Sequence, residues 1–377
     1  MNEFSKRRWI ISTVLLVIVI AAVSSYSIRQ YYSINEFQAR LEETEREAEG
    51  LKSSYALAGY YLYVPNTLDG TVSVVDLLGD RIVATITVGA SSSDGIASSP
   101  DGRYVYAGSN ETGQIAIIET STNTVSDFIK IDEQYLHGID ISPDGKQLWT
   151  VGEKVTVVDT TTKSVIKQIP FWSLGHVDFS KDGQYAYMTT LEAFGAENDL
   201  VVVFDTNSLS VTKQVEARTS PNEVELSPDG SFIYVANYDS DDVTILDSDL
   251  NVLATVPAGK GAHGLAISPD GRWLYVANRK TDYVSVIDTV NRKETNRIRV
   301  GDGPNHITIT PDGKLIYVSN IGSADISIIN TQSLTVVGSI RVGNAPHEME
   351  IIRFYQVRTG LIEGDWLWAM QTRKSMS

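Results

Sequence analysis

From Tyr60 onward, apolar and polar residues alternate in short runs, the period-two pattern of half-buried strands. His263-Gly264-Leu265-Ala266-Ile267 leads into a Ser-Pro-Asp-Gly tetrapeptide, and Trp273-Leu274-Tyr275-Val276-Ala277-Asn278 leaves it. A third run, Val284-Ser285-Val286-Ile287-Asp288, is rich in β-branched residues, and a more polar fourth spans Glu294 to Val300. The tetrapeptide recurs, with Thr for Ser or Lys for Pro once each, at Ser99, Ser142, Ser180, Ser227, Ser268 and Thr310, at intervals of 43, 38, 47, 41 and 42 residues. Pro presets φ at the second turn position, Asp can bond its own backbone, and Gly accepts positive φ.

Four short strands in a repeat of about 42 residues make one blade of a β-propeller, so the fold class is all-β. Stacked helical repeats are excluded by the period of two within each run. Third-strand runs occur seven times, near Val72, Ile115, Val155, Val201, Val243, Val284 and Ile326, which predicts seven blades. The first blade opens at Tyr61-Leu62-Tyr63-Val64-Pro65-Asn66, a second strand with no first strand before it. His347-Glu348-Met349-Glu350-Ile351-Ile352 has the innermost-strand pattern and supplies the missing piece. The C-terminal strand is therefore expected to complete the N-terminal blade, so that ring closure leaves no open sheet edge.

The pattern changes ahead of the repeats. Trp9 to Ile28 is an apolar run without charge, preceded by Lys6, Arg7 and Arg8. At about 20 residues it is long enough to span a bilayer as a helix, and the charge bias places residues 1–8 in the cytoplasm and the body outside. The competing expectation is a signal peptide cleaved near Ala22-Val23-Ser24. Ile34, Phe37, Leu41, Thr44, Ala48 and Leu51 then recur at steps of three and four among many Glu residues, the seam of a helical stalk over residues 29–58. Such a stalk is either a solvated spacer or a short coiled coil for self-association. The propeller is expected over 59–352 and a tail over 353–377, where Phe354, Tyr355, Trp366, Leu367, Trp368 and Met370 suggest a contact surface or a strap.

Composition narrows the chemistry. Lys and Arg number 31 against 47 Asp and Glu, a formal charge of −16, which argues against nucleic acid as a partner. There is no cysteine, so disulfides, thiolate nucleophiles and Cys-ligated metal or haem are excluded. No Gly-x-Ser-x-Gly elbow, P-loop, dinucleotide fingerprint or His-Glu-x-x-His is present. The expected partners are other membrane or cell-envelope proteins.

Aligned on the turns, the innermost strands carry the chain's five histidines at their first two positions. The first position reads Asp94, His137, Gly175, Asn222, His263, Asn305, His347, and the second Gly95, Gly138, His176, Glu223, Gly264, His306, Glu348. Two residues on come Ala97, Asp140, Asp178, Glu225, Ala266, Thr308 and Glu350. Strand side chains alternate between faces. If Ile96, Ile139, Val177, Val224, Leu265, Ile307 and Met349 pack between blades, the polar set faces the central channel. The expected candidate site for a divalent cation is then Asp140, Asp178, Glu223, Glu225, Glu348 and Glu350, with His176 and His306 near one mouth. The alternative is a water-filled shaft. A second acidic group, Asp239, Asp241 and Asp242 with Asp247 and Asp249 nearby, is either a calcium loop or a solvated turn.

Leu274-Tyr275-Val276-Ala277-Asn278, Ile233-Tyr234-Val235-Ala236-Asn237, Ile316-Tyr317-Val318-Ser319-Asn320 and Leu62-Tyr63-Val64-Pro65-Asn66, with the turns, resemble the YVTN-repeat β-propellers. That resemblance implies a seven-bladed fold. Thr189-Thr190 and Val151-Gly152 depart from the pattern where the family has its Asn. The group includes surface-layer, lactonase-like and haem-d1-binding propellers and scaffold subunits of amine dehydrogenases. The primary functional expectation is a membrane-anchored, extracytoplasmic interaction platform or accessory subunit. The alternative implied by the resemblance is a lactonase-like hydrolase using Glu223, Asn222, Asn305 and Asp140, or a haem-d1 binder using His263, His137 and Lys260.

Overall fold

The computed structural model describes residues 59–353 apart from 90, 92–93, 110–111, 134–135, 171–174 and 191–198. Among the described residues, strands form seven four-stranded antiparallel sheets, each containing strands consecutive in the chain except the first. In that first sheet Glu350–Arg353 is the innermost strand, followed outward by Tyr60–Asn66, Thr71–Asp76 and Arg81–Thr87. The closing strand pairs Ile352 with Tyr61 and Glu350 with Tyr63, and a single bridge joins Pro346 to Asn66. The expected closure of the ring is thus observed. Innermost strands of the other blades are Ile96–Ser98, Leu136–Ile141, Val177–Phe179, Pro221–Leu226, Ala262–Ile267 and Pro304–Ile309.

The anchor expected at 9–28, the stalk at 29–58 and the tail after Arg353 lie outside the described residues. Among the described residues, no helix is long and apolar enough to cross a membrane.

The core lies between blades. Ile96, Ile139, Val177, Val224, Leu265, Ile307 and Met349 are all buried, as their inward alternation requires. Each such aliphatic side chain contributes roughly 1.5–3 kcal/mol by leaving water. In the turns, Ser99 Oγ donates to Asp101 Oδ1 at 2.7 Å, the Gly102 amide donates to the Ser99 carbonyl at 2.7 Å, and Gly102 sits at φ 68°. Successive turns stack: a Cβ on Gly313 would lie 3.0 Å from Pro269 Cδ of the preceding blade.

At the other end of the second strand, the repeated Asn pins the sheet. Asn320 Nδ2 donates to Ser327 Oγ and Asp325 Oδ1, both at 2.9 Å, and Asn66, Asn237 and Asn278 bond the third strand in the same way. In the third blade, where Gly152 replaces Asn, Glu133 reaches in from the preceding loop and its Oε1 accepts a hydrogen bond from Thr156 Oγ1. Each outermost pair carries a β-bulge at one equivalent step, from Val74/Val75 in the first blade to Ile328/Ile329 in the seventh. Bulges twist an exposed edge away from pairing with another chain.

Candidate functional site

Innermost strands run from one face of the ring to the turns on the other. Tyr60 enters and Arg353 leaves on the turn face, paired with each other. The first and second positions of the innermost strands lie at the opposite mouth, and there all five histidines converge.

Their rings form a closed circuit. Centroids are 5.1 Å apart for His137–His176, 4.6 Å for His176–His306, 4.8 Å for His306–His263, 6.1 Å for His263–His347 and 6.0 Å for His347–His137. All five are buried. Each turns one ring nitrogen toward a charged group. His176 Nδ1 is 3.4 Å from Glu348 Oε1, and His306 Nδ1 is 3.0 Å from Glu223 Oε2. His137 and His347 place Nε2 at 3.7 and 3.8 Å from Asp94, while His263 Nε2 is 3.4 Å from Arg279 Nη1. The remaining nitrogens of four rings, His176 Nε2, His263 Nδ1, His306 Nε2 and His347 Nδ1, are buried without a hydrogen-bond partner among the described residues.

Glycine makes this crowding feasible. Asp94, His137 and His263 are each followed by Gly. A Cβ on Gly264 would sit 2.5 Å from the Asn305 carbonyl and 2.6 Å from His306 Cα of the next blade. The small residue admits the neighbouring strand to the distance at which the imidazoles touch.

Desolvation holds the imidazoles neutral. Burial lowers the pKa of His137 to about 4, burial together with neighbouring His and Arg279 takes His263 and His306 well below the usual value, and burial with the neighbouring histidines does the same for His347. His176 is lowered by burial, against the opposing pull of Glu223 and Asp94. Neutral imidazole is the form that ligates metals.

The eight acids and histidines expected to share one cation site separate into two layers. Glu223 and Glu348 belong with His176 and His306. Asp140, Asp178, Glu225 and Glu350 lie two residues farther along, roughly 7 Å deeper in the shaft. The carboxylates also serve the ring itself by accepting from the next blade. Leu265 N donates to Glu223 Oε1 at 3.0 Å, Ile96 N to Glu348 Oε2 at 3.1 Å, Leu226 N to Asp178 Oδ2 at 3.0 Å, and Ser98 Oγ to Glu350 Oε1 at 2.6 Å. Burial pushes Asp178, Glu223 and Glu350 up to about 7, and raises Asp140, Glu225 and Glu348 well above the carboxylate range with help from neighbouring acids.

Among the described residues, one group of three has ligand atoms close enough to share an ion: His176, Glu223 and His306, all within 4.8 Å of one another. The deeper acids do not meet that spacing. The Asp239–Asp249 group does not either, because its carboxylates are engaged separately. Asp239 pairs with Lys280 at 2.8 Å, Asp242 with Arg218 at 2.7 Å, and Asp249 with Lys213 at 2.8 Å; Asp241 accepts the Gly261 amide and Asp247 holds Asn251. Asn222 and Asn305 are buried at the mouth beside Glu223, whereas Asp140 lies in the deeper layer, so the residues assembled for a lactonase do not share one level.

A model of YNCE-like β-propellers matches residues 189–355, and a model of the cytochrome D1 haem domain matches residues 48–138. The first of these is a family of β-propellers, in keeping with the seven four-stranded sheets of this chain. Among solved structures it is similar to hydrazine synthase of Kuenenia stuttgartiensis (20% identity, 71% of this chain and 94% of that one, TM-score 0.63). It is also similar to a dihydro-haem d1 dehydrogenase, NirN, in complex with DHE (15%, 77% and 74%, TM-score 0.61). A protein from Desulfotomaculum acetoxidans, described as functionally unknown, matches at 19% identity over 78% of this chain and 99% of that one, with a TM-score of 0.67. At these identities the likeness is one of fold. No curated protein matches the sequence.

Among the described residues, the five imidazoles at the mouth pack at 4.6–6.1 Å, and their ring nitrogens either face a charged side chain or are buried. Arg279, the one cation in contact with a histidine here among the described residues, is held against His263 rather than turned out for a haem carboxylate.

Proposed function

We propose that the protein is a membrane-attached, extracytoplasmic accessory subunit whose working face is the histidine-lined mouth of the propeller. The observation that carries this reading is the convergence of five buried imidazoles on the face opposite the chain's entry at Tyr60 and exit at Arg353. The apolar run Trp9–Ile28, with Lys6, Arg7 and Arg8 before it, supports attachment to a membrane with the propeller outside. An accessory role is supported by the channel chemistry: neutral imidazoles and carboxyls held by hydrogen bonds from adjoining strands suit a ligand site, and among the described residues no activated nucleophile stands beside them.

The test has two parts. Protease added to spheroplasts should digest the body of the protein while an N-terminal tag survives, and the mature chain should begin near Met1. Cross-linkers placed at Lys280 and Asp302, on loops of the mouth face, should capture membrane partners, whereas cross-linkers on the opposite turns, at Lys181 and Lys314, should not. A mature N-terminus near Tyr26 would overturn the anchor, and capture only from the turn face would overturn the choice of face.

A further inference from the structure

We infer that His176, Glu223 and His306 form a binding site for a borderline divalent metal ion, of the zinc, copper and nickel class. This rests on the reading of the mouth as the ligand face and gives that ligand its chemistry.

Three features converge. The first is spacing. One ligand atom from each residue lies within 4.8 Å of the others. An ion about 2.0–2.2 Å from each of three tetrahedral ligands separates them by roughly 3.5 Å, so small side-chain rotations close the site. The second is donor type. Two imidazoles and one carboxylate in a chain without cysteine favour zinc, copper or nickel over calcium and magnesium, which prefer all-oxygen cages.

The third feature is that each ligand is already held from behind. Glu223 accepts from the Leu265 amide through Oε1 at 3.0 Å, and its Oε2 faces His306 Nδ1 at 3.0 Å. His306 has its backbone amide fixed by Ser319 Oγ at 3.0 Å, and its Nε2 is buried without a hydrogen-bond partner among the described residues. His176 presents Nδ1 to Glu348 at 3.4 Å and keeps Nε2 buried and unpartnered in the same sense. A carboxylate behind a ligating imidazole selects the tautomer and strengthens the donor. Glu348 is therefore a positioning residue: its Oε2 is tied to the Ile96 amide of the next blade, and its Oε1 orients the His176 ring. The rings of His263 and His347, 4.8 and 4.6 Å from His306, border the remaining coordination position. A packing role alone accounts for the rings touching, but not for the buried Nε2 atoms of His176 and His306, which lack a hydrogen-bond partner among the described residues, a state that native interiors rarely tolerate.

The experiment uses the full-length protein in detergent, stripped with chelator and dialysed. Zinc is titrated calorimetrically, and cobalt is followed by visible absorption. The expected result is one ion per chain with a micromolar or tighter dissociation constant, and a cobalt spectrum of tetrahedral intensity. His176→Gln and His306→Gln should each weaken zinc at least 100-fold, while Glu348→Gln should weaken it about 10-fold and alter the cobalt bands. Asp140→Asn, in the deeper layer, should leave affinity unchanged. Circular dichroism in chelator checks that each variant folds; if a histidine variant does not, Glu223→Gln replaces it, with the same 100-fold expectation. Absence of zinc and cobalt binding by the parent protein, or binding unchanged in the folded variants, overturns the site. Cross-linking from the mouth face reports on the accessory-subunit reading independently, so loss of metal binding with partner capture intact removes this inference alone.

Discussion

Two rings of ionisable side chains lie one above the other on the same innermost strands, and they are buried in opposite ways. In the mouth layer, imidazoles pack edge-on or tilted against one another, and each turns one ring nitrogen toward Asp94, Glu348, Glu223 or Arg279. In the deeper layer the ionisable groups are carboxyls, and adjoining strands donate to them, the Leu226 amide to Asp178 and the Ser98 hydroxyl to Glu350. Desolvation disfavours charge in both. It therefore lowers the histidines and raises the acids, and the two layers respond to protons with opposite sign. A histidine ring can surrender solvent and stay neutral at pH 7. A carboxyl ring can do so only by keeping protons or gaining a cation.

The largest way to break this contrast is to open the ring. The closing segment carries His347 and Glu348 of the mouth layer and Glu350 of the deeper one. Ending the chain after Ala345 removes them all, exposes the edge of Tyr60–Asn66, and loses the buried Met349 and Ile352. About 3–6 kcal/mol of apolar burial disappears from a margin of about 5–15 kcal/mol. The expected outcome is aggregation or a large drop in melting temperature; a melt identical to the parent's would show that both layers form without closure.

Next in size is the loss of an acceptor between blades. Glu223→Ala in chelator leaves the buried Leu265 amide without a partner and should cost about 1–3 kcal/mol in urea denaturation. Glu223→Gln retains an oxygen at that site and should recover most of the loss. Equal costs for the two would mean that the amide finds another acceptor.

Proton linkage separates the layers directly. Glu350 has a folded pKa of about 7 against an ordinary 4.5, so the native state holds the extra proton. Its stabilisation is complete below about 4.5 and is lost as pH rises through 7. His137, at about 4 against 6.5, contributes stability above 6.5 that is lost as pH falls toward 4. In metal-free protein, Asp140→Asn with Glu350→Gln should gain about 1–2 kcal/mol over the parent at pH 8. A variant no more stable than the parent at pH 8 would mean that the deeper carboxyls are relieved by solvent.

The smallest effect concerns Asp94, whose carboxylate props up the His137 pKa from 3.7 Å. Asp94→Asn should lower that pKa by a further pH unit or so, as read by NMR of the ring protons. No movement would place the Asp94 charge outside the electrostatics of the mouth.

Much of the architecture was legible because it rests on local chemistry repeated seven times. Pro, Asp and Gly specify the turns wherever they occur, and alternation assigns Ile139 or Leu265 to the core without knowledge of neighbours. The repeat also placed every histidine at the start of an innermost strand. It did not reveal that His137, His263 and His347 join His176 and His306, because adjacency around the mouth depends on ring curvature and on which blade offers glycine. Of the eight residues expected at the cation site, three bring ligand atoms within 4.8 Å of one another among the described residues. Charge and strand position alone could not distinguish Glu223, aimed at His306, from Glu225, two residues deeper.

Blade number, the closing strand, the turn geometry and the inward set of polar residues are determined by the sequence itself, since each follows from a period or a turn within one stretch of chain. The pairing of Glu348 with His176, the filling of the Gly152 position by Glu133, and the closed circuit of five imidazoles were decided only by the tertiary structure. Those contacts join residues on different blades, and their distances are set by how closely seven sheets pack about one axis. Side chains far apart in the chain acquire their pKa and their partners from that packing, because desolvation and Coulomb interaction act through space.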